Sequence, residues 1–242
     1  SNGAFKVLVY RGIPDADSEA IAEIKGSSTC RFGPDYYGQI SSNGKYFVLN
    51  PDGTRLLVYE TDIFAGGTKD APLVLTADEA KSVVDSVNIG YAITDSNDPD
   101  GSGYSNSCRQ QNFNLYDFTF TDSAGNQQTK VLHERTSINA MYDAIVTADD
   151  MLIITNMGDN RVVIWESVDD AVSGKTPMCI LGHSEKSYET DDVYGVYDYH
   201  YAIGTLFDNT LYMPNKMCFD GNNLWIGEYK WSNRLLRFRI EK

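Results

Sequence analysis

The stretch MGDNRVVIWES, residues 157–167, decides the fold because its pattern occurs three times in the chain. A Gly-Asp-Asn turn precedes Arg161, four apolar residues follow it, and polar residues end the run. PDGTRLLVYET from Pro51 and KWSNRLLRFRI from Lys230 repeat much of this order. Turn residues followed by a short apolar run predict a β-strand that begins at a tight turn. Each stretch therefore predicts the same strand of a repeated unit.

The spacing of these strands predicts further copies. Related runs begin at residues 6, 55, 161 and 234, and the second interval is about twice the first. A copy is therefore expected midway, where FNLYDFTF (residues 113–120) alternates apolar and polar residues as a strand does. Neighbouring apolar runs lie at residues 20–24, 46–49, 73–75, 130–132, 151–155, 178–181 and 224–226. Each unit reads as up to four short antiparallel strands, with a period of about 50 residues.

Repetition at this spacing predicts an all-β fold, a β-propeller of four-stranded antiparallel blades with five repeat units visible and five or six blades in all. A β-sandwich and a β-helix are the alternatives. We expect one domain over residues 1–242, with insertions at residues 95–112 and 184–209. In a propeller both insertions would lie on one face, at the mouth of the central channel. Loops of this length usually have a function.

Two of the units carry a family resemblance. LYMPNKMCFDGNNLWIGEYKWSNRLLRFRI (residues 211–240) resembles an NHL repeat, in which Leu, Pro, a strand, Asp-Gly and an apolar strand precede Asn-Arg and another strand. LIITNMGDNRVVIWESVDDAVSGKTPMCILGH (residues 152–183) is similar to the second half of such a repeat. The resemblance implies a propeller, and some NHL relatives are metal-dependent lyases.

Composition limits the partners. The chain has 20 Lys and Arg against 34 Asp and Glu, a net charge of −14, which disfavours nucleic acid and anionic membrane surfaces. No apolar run reaches the roughly 20 residues of a membrane span, so no membrane insertion is expected. Sixteen tyrosines and many polar turns are typical of an extracellular, periplasmic or cell-surface β protein.

Aromatic residues indicate where a ligand would bind. Rings with polar tips give contact area at low entropic cost and suit protein or carbohydrate ligands. Packing of the same rings onto the rim of the fold is the alternative. The predicted ligand-binding residues are Trp231, Tyr229, Tyr199, His200, Tyr36 and Tyr37.

Two groups of residues are candidates for a metal. Asp98 and Asp100 lie two apart before a glycine in DSNDPDGSGYSN (residues 95–106), a spacing similar to that of calcium loops, although a plain polar turn also explains it. His133, His183 and His200 could approach one face and form a three-His zinc site. Three unrelated histidines are the alternative.

The remaining repeated and reactive residues receive structural interpretations. Arg55, Arg161 and Arg234 begin their strands and are expected to bind carbonyl or carboxylate oxygens between neighbouring blades. Cys179 and Cys218 lie in apolar runs and are expected to be buried thiols. If a disulfide forms, it is expected to join the two loop cysteines, Cys30 and Cys108.

Two functions follow from these predictions. The first is a secreted or cell-surface module that binds a ligand or a protein. The second is a propeller-type metal-dependent lyase or hydrolase with its site at the channel mouth. Because propellers support both classes, the sequence leaves open whether the protein is an enzyme.

Overall fold

The computed structural model describes residues 6–26, 39–50, 56–82, 115–121, 124–133, 141–157, 160–175, 177–182, 211–229 and 232–241. Within these residues the chain is mainly β-strand, with one short helix, α1 (Val168–Val172), and two 3-10 turns at Thr61–Phe64 and Ala77–Glu79. The strands are β1 (Lys6–Val9), β2 (Ala22–Lys25), β3 (Gln39–Ser42), β4 (Tyr46–Asn50), β5 (Leu57–Glu60), β6 (Leu73–Thr76), β7 (Lys81–Ser82), β8 (Leu115–Thr121), β9 (Gln127–His133), β10 (Met141–Val146), β11 (Leu152–Asn156), β12 (Arg161–Trp165), β13 (Cys179–Gly182), β14 (Pro214–Phe219), β15 (Asn223–Glu228) and β16 (Leu235–Arg239).

The described strands form four small sheets and one hairpin. Sheet 1 has the order β1-β2-β6, sheet 2 the order β3-β4-β5-β7, sheet 4 the order β10-β11-β12-β13, and sheet 5 the order β14-β15-β16. The hairpin β8-β9, called sheet 3, stands between them in the chain. Every strand pair is antiparallel except β2 with β6.

The predicted β-propeller is wrong, whereas the all-β class is confirmed. The four sheets are separate, none is closed or curled, and the described residues show no propeller arrangement of blades. Strand β6 was expected to be the fourth strand of its own unit, but it pairs in parallel with β2 of sheet 1, and the short β7 takes the edge beside β5. The repeated pattern specifies local antiparallel hairpins, which many β architectures share, and does not specify how sheets are arranged.

Strand β12 shows why the opening stretch is so strongly apolar. All five of its residues are buried, because β12 lies between β11 and β13 and sheet 4 is covered on both faces. Val163 and Trp165 pack toward sheet 2, and Val162 and Ile164 pack toward sheet 5. A strand covered on both faces reads as a continuous apolar run rather than an alternating one.

The sheets pack face to face in a row. One apolar cluster joins sheets 1 and 2 through Ile24 and Leu57, and a second joins sheets 2 and 4 through Val48 and Ile154. A third joins sheets 4 and 5, where Leu224 and Ile226 meet β11 and β12. Sheets 1 and 5 therefore lie at the two ends of the row.

Side-chain hydrogen bonds align sheets 2, 4 and 5 with one another. The Nδ2 of Asn50, where β4 ends, donates to the carbonyl of Met141, where β10 begins, at 2.9 Å. The backbone N–H of Met217 in β14 donates to Oδ2 of Asp143 in β10 at 2.9 Å. We call the common end, where β10 and β14 begin and β4, β11 and β15 end, the loop end. At the opposite end Asn43 donates to Asp150 at 2.7 Å.

Candidate functional site

Tyr229 is the one predicted binding residue whose side chain lies among the described residues. It directly follows β15 at the loop end, and 47% of its surface is exposed. Its backbone N–H donates to the carbonyl of Met213 at 3.1 Å, and this bond holds the backbone of Tyr229 beside the start of β14. Tyr229 is thus an exposed residue on a backbone that is hydrogen-bonded to the segment before β14.

The other predicted site residues are not tested by the structure. His133 is the last residue of β9 and pairs with Leu115, but only its backbone is described. The insertions at residues 95–112 and 184–209 also fall outside the described residues. Outside them as well are Trp231, Tyr199, His200, Tyr36, Tyr37, Asp98, Asp100 and His183.

No metal centre is formed by the part of the chain that the structure describes. Within it, no three His, Cys, Asp or Glu side chains are grouped so that they could hold an ion. The calcium and zinc predictions concern other residues and stay predictions.

A buried ion pair supports the backbone next to Tyr229. The side chain of Glu228 is 0% exposed and accepts from Arg234 twice, Nε to Oε2 and Nη2 to Oε1, each at 2.7 Å. Oε1 also accepts the backbone N–H of Tyr212 at 2.7 Å. Two parallel charge-assisted bonds are strong and directional. Arg234 binds a carboxylate as expected, but the expected bond between blades is wrong, because Glu228 ends the neighbouring strand of the same sheet.

Residues with left-handed backbone conformations cluster at the loop end. Asn160, Met213 and Asn233 have φ values of 54°, 46° and 46°. Asparagine tolerates this region, whereas methionine does not usually adopt it. The Oδ1 of Asn160 accepts the backbone N–H of Met213 at 2.7 Å and holds that conformation in place. Strained backbone of this kind is typical of functional sites.

Apolar residues complete the support at this end. Met157, Tyr212 and Met213 are buried together, with Tyr142 packed against them. The Nδ2 of Asn215 lies 4.0 Å from the sulfur of Met157. Burial raises the pKa of the Tyr212 phenol, so it stays protonated near neutral pH.

A buried carboxylate lies between sheets 4 and 5. Asp143 is 9% exposed and accepts the backbone N–H groups of Ala144 and Met217 at 3.0 and 2.9 Å. Burial raises the pKa of this carboxyl, and the two hydrogen bonds and the charge of Lys216 offset only part of that effect. The residue joins the sheets and does not face the loop-end surface.

The two described cysteines were both expected to be buried, and they differ in exposure. Cys179 and Cys218 are both free thiols, and burial raises the pKa of the half-buried Cys179. Cys218 is exposed, so its predicted burial is wrong: its position in β14 faces solvent while the alternate residues Met217 and Phe219 face the core. Cys30 and Cys108 lie outside the described residues.

The conformational signal that sequence reasoning missed is the asparagine that precedes two of the three recurring arginines. Asn160 precedes Arg161 and Asn233 precedes Arg234, and both asparagines have positive φ. A left-handed residue turns the chain sharply toward the next strand, which begins at Arg161 in β12 and one residue after Arg234 in β16. The Asn-Arg pair therefore marks the loop end, although the Glu228 and Met213 contacts are not encoded locally.

Comparisons with known proteins do not assign the chain to a family. No protein-family model matches the chain, and no curated protein is similar to it. No helix among the described residues is long and apolar enough to cross a membrane.

Proposed function

We propose that the protein is a secreted, periplasmic or cell-surface binding module that takes a protein or carbohydrate ligand at the loop end of sheets 2, 4 and 5. The observation that carries this proposal is Tyr229, an exposed tyrosine on a rigid support. Tyrosine offers a large contact surface with few rotatable bonds and a polar tip, which favours both ligand classes.

The support beneath this surface is built from buried polar contacts. Glu228 holds Arg234 and Tyr212, Asn160 holds Met213, and Asn50 joins sheet 2 to sheet 4. Each of these groups lies at a strand end, so the backbone there is fixed while side chains above it stay accessible. Binding residues are commonly carried on connections that a rigid scaffold positions in this way.

The connections at this end contain the other predicted binding residues. Residues 183–210 link β13 to the segment before β14 and include Tyr199 and His200. Residues 230–231 link Tyr229 to the start of the β16 segment and include Trp231. We propose that these side chains add to the surface that Tyr229 begins.

Charge narrows the class of ligand. The net charge of −14 repels phosphate backbones, so we propose that nucleic acid is not a partner. A neutral saccharide or a protein with a neutral or basic contact surface avoids that repulsion.

Paired screens would test the proposal. The purified chain is applied to an array of neutral oligosaccharides and to a panel of secreted proteins, and hits are measured by calorimetry. We expect Tyr229→Ala to weaken binding of the identified ligand at least about tenfold, as for a central interface tyrosine. Ile13→Ala is the matched control, because Ile13 is 98% exposed in the β1–β2 connection, and it should leave affinity unchanged.

Three outcomes would count against the binding proposal. Failure of both screens would contradict it. Equal effects of the two substitutions would show that the ligand does not bind at the loop end. Stoichiometric zinc in the purified protein would instead support the metal-dependent lyase or hydrolase.

A further inference from the structure

Strand β16 is an edge strand of sheet 5 in the part of the chain that the structure describes. The strand order is β14-β15-β16, and no described strand pairs with the outer side of β16. Sheets 2 and 4 have a fourth strand at the equivalent position, β7 and β13. Sheet 5 thus has a vacant strand position among the described residues.

The ladder between β15 and β16 shows which backbone groups face outward. The N–H of Glu228 donates to the carbonyl of Arg234, and the N–H of Ile240 donates to the carbonyl of Asn222, both at 3.0 Å. Antiparallel strands alternate between residues that bond the partner and residues that bond away from it. Leu236 and Phe238 therefore bond β15, while the N–H and C=O groups of Leu235, Arg237 and Arg239 point to the vacant position.

The side chains of these outward-bonding residues form one exposed stripe. Leu235 is 67% exposed, and Arg237 and Arg239 are exposed beyond it. The guanidinium of Arg237 lies 5.6 Å from the ring centroid of Trp225, its cross-strand neighbour. The indole N–H donates to Asp220 at 3.0 Å, which holds the ring in place. Arg237 is thus oriented by a fixed aromatic surface.

A polar groove adjoins the stripe. Asn222, Asn223, Arg237 and Arg239 line a depression of about 560 Å³. The two guanidinium groups belong to residues i and i+2 of one strand, about 7 Å apart along it. The charged residues of this lining are both basic, with Arg239 also paired at 3.4 Å with the exposed Glu241, although the protein as a whole carries a charge of −14.

These features select one kind of partner. We propose that the outer edge of β16 accepts an extended acidic peptide as an added antiparallel strand, with acidic side chains at alternate positions opposite Arg237 and Arg239. Alternate residues of a strand are also about 7 Å apart and project from one face, so acids at i and i+2 match the arginine spacing. Backbone bonds would supply affinity and the arginines would supply selectivity.

A second copy of the chain is a poorer occupant of this edge. Antiparallel pairing of β16 with its own copy about Arg237 would set arginine against arginine and leucine against arginine. Like charges directly opposite are destabilising in a sheet. Charge therefore favours a partner strand of opposite sign. This surface differs from the loop end, so the inference goes beyond the proposed function.

The test uses the full chain and the synthetic peptide acetyl-VEVEVEV-amide. We expect saturating peptide to slow hydrogen exchange of the Leu235, Arg237 and Arg239 amides at least about tenfold, while Leu236 and Phe238, which are already bonded, change little. Peptide N-methylated at its glutamates should not bind, because those amides would face β16. Peptide N-methylated at its third residue, a valine, should bind, because that amide would face away from β16.

Charge variants provide the second arm. R237E/R239E should weaken binding of the acidic peptide at least about tenfold and gain binding of acetyl-VKVKVKV-amide. R11E/K69E makes the same charge change at exposed positions in the connections before β2 and before β6, and it should bind the acidic peptide normally. Gained binding of the basic peptide also shows that R237E/R239E is folded.

Other results would overturn the proposal. Unchanged exchange at Leu235, Arg237 and Arg239, equal binding of both N-methylated peptides, or equal effects of both double variants would show that no strand is added. Without peptide, slower hydrogen exchange of these amides at higher protein concentration would show that a second copy of the chain occupies the edge of β16.

Discussion

Replacing Glu228 by glutamine tests whether the buried ion pair holds the loop end together. Glutamine keeps the shape of the side chain but removes its charge and turns one acceptor into a donor. In the native protein the two oxygens accept three bonds, two from Arg234 and one from Tyr212. After the change an N–H₂ group must face one of these donors, so at least one buried bond is lost.

The expected cost follows from burial. Breaking a fully buried pair costs about 3–5 kcal/mol, and hydrogen bonds to charged groups contribute about 1.5–3 kcal/mol each. The side chain of Glu228 is 0% exposed but that of Arg234 is 22% exposed, so water can solvate part of the guanidinium. We therefore expect Glu228→Gln to lower the free energy of unfolding by roughly 2–4 kcal/mol.

Urea unfolding followed by circular dichroism measures this loss. Glu241→Gln is the matched control, because Glu241 pairs with Arg239 at 3.4 Å with both side chains 77% exposed. Exposed pairs contribute at most about 1 kcal/mol, so the control should shift the midpoint little. Equal losses in the two variants would refute the assignment of Glu228 as the support of the loop end.

Two further substitutions test the contacts between sheets. Burial raises the pKa of Asp143, so ionisation of this carboxyl opposes folding above that raised pKa. As pH falls through it, native protein should gain stability relative to Asp143→Asn, which urea midpoints measured from pH about 7 down to the ordinary carboxyl pKa of about 3.9 would show. An unchanged difference would mean that Asp143 does not titrate in this way. At Gly67, an added Cβ would lie 2.2 Å from the carbonyl oxygen of Ile21. Gly67→Ala should therefore lower the free energy of unfolding by about 1–3 kcal/mol. Gly66→Ala is the control and should not lower it, because a Cβ there meets open space. Equal melting temperatures of the two alanine variants would contradict the close approach.

Local patterns predicted the strands but not their arrangement. The apolar run of β12 and the alternation in β8 identify strands because side-chain period depends only on neighbouring residues. β3 and β7 were missed because QISS and KS contain few apolar residues, and β10 (MYDAIV) was missed although most of its residues are apolar. The parallel pairing of β6 with β2 depends on contacts between distant residues, which a repeat pattern does not encode.

The exposed residue of the candidate site could also be predicted from the sequence, but the contacts that support it could not. Tyr229 could be singled out because a tyrosine next to a turn is a common contact residue. The positive φ of Met213 could not be predicted, since it depends on an acceptor on Asn160 in another sheet. Burial of the Glu228 carboxylate likewise depends on packing around sheet 5 that no local motif describes.

The parallel pairing of β2 with β6 sets an order on the folding of the chain. The N-terminal hairpin β1-β2 can form as soon as its residues are available, but its partner β6 follows only after the strands β3, β4 and β5. Closing a loop of this length is slow compared with forming a hairpin. Until it closes, Ala22 and Ile24, which end fully buried, have no cover from β6. The first strands of sheet 1 are therefore synthesised before sheet 2, but its third strand, β6, is synthesised only after β3, β4 and β5. The side of β2 that pairs with β6 is unpaired during that interval.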